Sequence, residues 1–239
     1  MSSAVPSLEA IRYVVTLLGK TEARDKINKL VQYGCKALGH VVAARGLAST
    51  ARRLRLLEGS LSQSRKVFRL AKPLAFVDKL NTSLASSDPA VFFLGSASAL
   101  GFMSYLTLDA LIWLVKIKVL ERPAAARMQY WASVCWAVAL AAGATLEHRK
   151  FSALCDREQR LAVTARDFRT DGDEAGKSDA RKELDDVRGK KKESILAQVR
   201  QHADLQVALS GVIAAYNPSP AFLGLCGMTS AALSLRTML

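Results

Sequence analysis

Apolar residues recur at helical spacing along much of the chain, and in two places they run almost unbroken. From Ser7 to Arg45 the periodic positions include Ile27, Leu30, Val31, Leu38, Val41 and Val42, with Arg24, Lys26, Lys29 and Lys36 on other faces. That is the pattern of one or two amphipathic helices. Gly19 marks a break between them, and Thr21 is placed to cap the second piece. Over residues 51–80, Leu57, Leu61, Phe68, Ala71 and Ala75 share a stripe, flanked by Leu56, Val67, Leu70 and Leu74. Arg55, Arg65, Lys66, Arg69 and Lys72 project from the opposite arc. Pro73 should kink or end this helix.

The unbroken stretches follow. Ala90–Val115 carries one charge, Asp109, and is closed by Lys116 and Lys118. It is long enough to span a bilayer, but Asp109 is costly in hydrocarbon, so a half-sunk or protein-covered helix is an open alternative. Met128–Leu146 holds no charge and would reach about 28 Å as a helix, which makes it the best spanning segment. Residues 147–204 then carry 14 basic and 13 acidic side chains around a centre reading TDGDEAGKSD. This reads as a flexible charged loop with helical arms. Leu205–Tyr216 is apolar and short, Asn217-Pro218-Ser219-Pro220 breaks the helix, and Ala221–Leu235 is apolar again. Gly224, Gly227 and Ser230 give that last piece a small-residue face suited to close helix packing.

Four regions result: basic amphipathic helices at 1–84, hydrophobic helices at 85–146 that are interfacial or transmembrane, the charged loop at 147–204, and C-terminal hydrophobic helices at 205–239. The predicted fold class is an all-α membrane protein, with N-terminal amphipathic helices beside a small bundle of hydrophobic ones.

Charge sharpens this picture. The net charge is +13, of which +10 falls in residues 1–84. A basic block faces polyanions, either nucleic acid or anionic lipid headgroups. The block has no patch of cations interleaved with stacking aromatics, which argues against nucleic acid. A helix with a nearly all-basic polar face can lie in a bilayer interface, with its apolar side among the acyl chains. Packing into a soluble bundle is the commoner fate of such a helix, and the long apolar runs that follow tip the balance toward lipid. The excess of cations also predicts a cytosolic N-terminus.

No catalytic, cofactor or metal site is expected. Cys35, Cys135, Cys155 and Cys226 are scattered, and His40, His148 and His202 lie far apart. Gly176-Lys177-Ser178 resembles the tail of a phosphate-binding loop, but Asp171 stands where its leading glycine is required. The N-terminus does not read as a secretory signal, and Thr237-Met238-Leu239 is not an SKL-type address.

Four blocks in order resemble the peroxin-eleven family of peroxisomal membrane elongation and proliferation proteins. In Thr21–Leu38, Arg24, Asp25, Lys26, Gln32 and Tyr33 match the family's charged turn and following "QY", with Ala23 in place of a glycine. In Leu61–Leu70, Ser64, Arg65, Lys66, Phe68 and Arg69 match the segment entering its membrane-inserting helix. Tyr105, Asp109 and Trp113 match its "Y…D…W" helix, and Leu223–Leu235 is similar to its glycine- and serine-rich C-terminal helix. The resemblance implies a peroxisomal membrane protein, or one of a specialised relative such as the glycosome, that elongates or tubulates the membrane before fission. It implies self-association, insertion by the peroxin-nineteen receptor, contact with the dynamin-type fission machinery, and no cofactor. On this reading Arg55, Leu61, Arg65, Lys66, Val67, Phe68, Arg69 and Leu70 form the inserting helix, against anionic lipid. A pore for small metabolites, lined in part by Asp109, is the alternative.

Overall fold

The computed structural model describes residues 19–121, 125–171 and 174–238. Every regular element among them is helical, as the periodicity predicts; the expected piece ahead of Gly19 lies outside the described residues. In chain order they are α1 (Thr21–Ala44), α2 (Ala48–Phe68), a 3-10 turn (Lys72–Phe76), α3 (Val77–Leu84), a π-turn (Val91–Gly95) leading into α4 (Ser96–Lys116), α5 (Ala125–Asp171), α6 (Glu174–Leu209) and α7 (Pro220–Arg236).

Local chemistry sets the ends of these elements. Lys20 rather than Thr21 holds the cap position of α1, without a side-chain hydrogen bond. A short turn joins α1 to α2 through Gly46 at φ +78°, a left-handed conformation that a residue without Cβ adopts freely. α2 stops at Phe68, and Pro73 falls in the first turn of the 3-10 piece, where its missing N–H costs nothing. At α7 the Ser219 hydroxyl accepts the N–H of Phe222 at 3.2 Å, and Pro220 starts the helix.

The region expected as a charged loop is largely helix. α5 is 47 residues long and carries the uncharged stretch straight into the charged one, after which α6 returns beside it. Across this hairpin Arg157 pairs with Glu183, and Glu158 pairs with both Arg188 (2.9 Å) and Lys191 (2.7 Å). Along it Lys190 meets Asp186 at 2.6 Å. Acids and bases that satisfy one another in these ways give helical arms an alternative to an apolar face. The near-neutral balance of the segment has this origin.

The core gathers Ala137, Leu140 and Ala208 with Phe102, Trp136, Leu205, Leu209 and Val212, from α4, α5, α6 and the turn after it. Small residues let backbones approach closely. A Cβ at Gly101 of α4 would stand 2.8 Å from the Cys135 carbonyl oxygen of α5. α7 lies on α1 in the same manner, with Gly224 against Ala37 and Gly227 beneath the Tyr33 ring. Gly224, Gly227 and Ser230 are all buried, so the face read as a packing surface is occupied within the chain. α1 thereby packs on both α2 and α7, across the boundary that composition draws at residue 84.

Among the described residues one helical run, Val91–Lys116, is long and apolar enough to cross a membrane. Only 11% of its most apolar window is buried, whereas the core helix of a soluble protein is mostly covered. Met128–Leu146, expected as the best span, forms the first part of α5 and turns Ala132, Ala139 and Leu140 inward.

Candidate functional site

The cations near the C-terminal end of α2 point into the protein, whereas Arg52, Arg53 and Arg55 nearer its start are exposed. Arg65 and Lys66 are each 8% exposed. Arg65 Nε donates to Asp25 Oδ1 at 3.0 Å and its Nη1 to Gln32 Oε1 at 2.7 Å, both on α1. Lys66 Nζ donates to Asp109 Oδ1 on α4 at 2.5 Å. Just beyond α2, Arg69 joins both carboxylates, with Nη2 at 2.9 Å from Asp109 Oδ2 and Nε at 3.6 Å from Asp25 Oδ1. Arg69 Nη1 also donates to the Tyr105 hydroxyl at 3.1 Å, and the Tyr105 ring stacks on Trp136 with centroids 5.1 Å apart.

Spacing explains the arrangement. Arg65, Lys66 and Arg69 lie one to four residues apart and share one side of the α2 end, so a carboxylate on each neighbouring helix can serve more than one cation. Asp109 sits in an otherwise apolar run, where an ionised group persists only if paired. Burial pushes the Asp25 carboxyl up, but the Arg65 and Arg69 guanidinium groups prevail and hold it below its ordinary value. Burial, with Asp204 and Tyr105 adding to it against Arg65 and Arg69, pushes the Tyr33 phenol well above its usual range.

A second buried contact ties α1 to α6 and α7. Lys29 Nζ donates to Asp204 Oδ1 at 2.6 Å and to Ser230 Oγ at 2.7 Å. Burial still draws the Lys29 ammonium below its ordinary value, against the pull of Asp204. Next to both clusters lies a cavity of about 890 Å³, bordered by residues from α1 to α7.

The residues singled out from the sequence fall into three groups. Asp25, Gln32, Tyr33, Tyr105 and Asp109 are brought together inside, with Arg65, Lys66 and Arg69. The three cations assigned to lipid headgroups are therefore engaged by internal carboxylates, because Asp25 and Asp109 stand opposite them. Arg24 and Arg55 are exposed, Leu61 and Phe68 are half-buried, and Val67 and Leu70 face outward at 43% and 41% exposure. Trp113 is half-buried and makes no ring contact among the described residues. Sequence reasoning missed Lys29 and Asp204; a lone acid bordering the apolar Leu205–Tyr216 run was the available signal.

These elements define an all-helical bundle in which Asp25, Gln32, Arg65, Lys66, Arg69 and Asp109 are engaged with one another. The chain belongs to the Peroxisomal biogenesis factor 11 (PEX11) family, whose model matches residues 11–239. It is 25% identical over 238 residues to the Peroxisomal membrane protein 11 homolog of Dictyostelium discoideum, covering 94% of this chain and 92% of that protein. It is 28% identical over 214 residues to Peroxisomal membrane protein 11-1 of Oryza sativa subsp. japonica, covering 87% and 82%. Peroxisomal membrane protein 11C of Arabidopsis thaliana is 32% identical over 115 residues, covering 48% of this chain and 46% of that one. No solved structure matches the chain. The family is one of peroxisomal biogenesis factors rather than of enzymes, and its membership supports a role at the peroxisomal membrane.

Proposed function

We propose that this chain elongates and tubulates the peroxisomal membrane before fission, by setting the outward apolar edge of α2 into the cytosolic leaflet while the Val91–Lys116 run anchors it. The observation that carries the reading is the polarity of α2. Its cations Arg65 and Lys66 are locked inside on Asp25 and Asp109, while Leu56 (67%), Leu57 (45%) and Val67 (43%) are exposed. Insertion would remove these side chains from water, each worth about 1.5–3 kcal/mol when fully buried. The exposed Arg52, Arg53 and Arg55 would add on the order of 1 kcal/mol each near anionic headgroups. A helix that enters one leaflet only expands it relative to the other, and curvature follows. Self-association, a cytosolic N-terminus, delivery by the peroxin-nineteen receptor and contact with dynamin-type machinery belong to the same proposal.

A Leu56→Glu/Val67→Glu variant tests it, because both side chains are exposed and their replacement leaves the ion pairs in place. With full-length protein and anionic vesicles, tubulation should fall at least tenfold while the helical signal and thermal midpoint stay within error. Unchanged tubulation by the folded variant would overturn the reading. A metabolite channel is the second reading, favoured by the cavity. Asp109, its expected lining residue, is closed off by Lys66 and Arg69, and that weighs toward membrane shaping.

A further inference from the structure

We propose that the cavity binds one single-chain amphiphile, with a phosphate or carboxylate head on its basic side near Lys26 and Arg200 and a tail laid along Phe102, Leu106, Trp136 and Leu140. The volume, about 890 Å³, lies within the ~300–1,000 Å³ range of small-molecule sites.

The lining has two characters. On the basic side seven cationic side chains face four carboxylates. Three of those carboxylates are already engaged: Asp25 by Arg65, Glu22 by Lys72 at 2.7 Å, and Asp204 by Lys29. Lys26 and Arg200 border the same space and make no ion pair among the described residues, and the Lys79 ammonium lies over the Phe76 ring at 5.0 Å. On the other side stand Ala99, Phe102, Leu106, Trp136, Leu140 and Leu146. A bare anion would leave this apolar wall wet, and an uncharged lipid would leave the cations uncompensated. An amphiphile with one negative head satisfies both sides.

Asp25 and Asp204 act on Lys26 from nearby without forming an ion pair with it, and they do not offset its burial. Burial, reinforced by Lys29 and Lys72, draws its ammonium from the usual 10.5 down to about 8. The charged groups facing it are Glu22, Asp25 and Lys29 on α1, Lys72 on the 3-10 turn, Arg65 and Arg69 at the end of α2, and Arg200 and Asp204 on α6. A bound anion favours the protonated form, so binding takes up a proton near pH 8. Affinity then falls as pH rises through that value, by about tenfold between pH 7 and pH 9.

The test is quenching of Trp136 in the full-length protein, in neutral detergent, by fatty acid and lysophosphatidic acid carrying brominated chains. Trp136→Phe reports the background from Trp113 and Trp131, and a brominated monoacylglycerol serves as the uncharged control. Saturable quenching by the anionic probes is expected, weakened at least tenfold by Lys26→Gln and by the step from pH 7 to pH 9. The tighter of the two anionic probes names the headgroup. Thermal melting separates a folding defect from a binding one: Lys26→Gln removes a desolvated charge, so its midpoint without ligand should not fall, while the shift given by the anionic probes should disappear. Equal quenching by the monoacylglycerol, an equal thermal shift from inorganic phosphate alone, or binding unchanged by Lys26→Gln would overturn the proposal. It rests on the cavity and not on insertion of α2, so either can fail without the other.

Discussion

Replacing Asp109 with Ala should destabilise the protein by about 3–5 kcal/mol, the cost expected when one member of a buried ion pair is removed. The variant strands Lys66 and Arg69, which meet Asp109 at 2.5 and 2.9 Å and have little water to turn to. Arg69 retains Asp25, at 3.6 Å, the Tyr105 hydroxyl and the Arg65 carbonyl oxygen, at 3.0 Å. A thermal or denaturant melt of the detergent-solubilised protein reads the effect. Lys66→Met and Arg69→Met introduced together with Asp109→Leu should recover much of the loss, because an apolar replacement of a whole buried ionic cluster is often neutral. If Asp109 instead faced water in a conduit, Asp109→Ala would melt near the wild type and the triple replacement would melt lower.

The second large effect belongs to Gly227. A Cβ there would lie 2.1 Å from Cγ of Tyr33 and 2.3–2.4 Å from its Cδ atoms, and the ring, fixed between α1 and α7, must shift for Ala to fit. Overpacking of this kind costs about 1–3 kcal/mol. That outweighs the gain of up to about 1 kcal/mol that Ala brings to a helix interior. Gly59 on α2 supplies the opposite sign, since nothing stands within 4 Å of its Cβ position. Gly59→Ala should therefore raise the melting midpoint and Gly227→Ala should lower it. Adding Tyr33→Leu to Gly227→Ala should return part of the loss. Were Gly227 on a face used between copies, Gly227→Ala would weaken self-association and leave the melt of the single chain unmoved.

Much of the fold was legible because its signals are local. The helical periodicity read over 7–45 and 51–80 falls on α1 and α2, α2 ends at Phe68 a few residues ahead of Pro73, and the break read at Asn217–Pro220 precedes α7. The charged hairpin was harder to read. Its helices are stabilised by pairs such as Arg188–Glu158, thirty residues apart, which leave no apolar stripe to follow.

The site shows the same limit more sharply. Periodicity revealed that Arg65, Lys66 and Arg69 share an arc, but an arc carries no direction. Cations ordinarily face water, and here Asp25, 40 residues before Arg65, and Asp109, 43 residues after Lys66, reverse the rule. The contact of Lys29 with Asp204 spans 175 residues, a separation at which no spacing argument operates. Gly224, Gly227 and Ser230 were legible as a close-packing face, and the partner they meet, α1, was not.

The outward direction of the α2 apolar edge is the claim on which membrane shaping turns. It can be measured with a polarity-sensitive fluorophore on a single cysteine at Leu56 or Arg65, after Cys35, Cys135, Cys155 and Cys226 are replaced by Ala. The protein is placed in anionic vesicles containing spin-labelled lipid. A blue-shifted, lipid-quenched probe at position 56, and labelling at position 65 only after denaturation, is the predicted result. A probe at 56 that stays water-like and unquenched, with position 65 reacting freely in the folded protein, would contradict it.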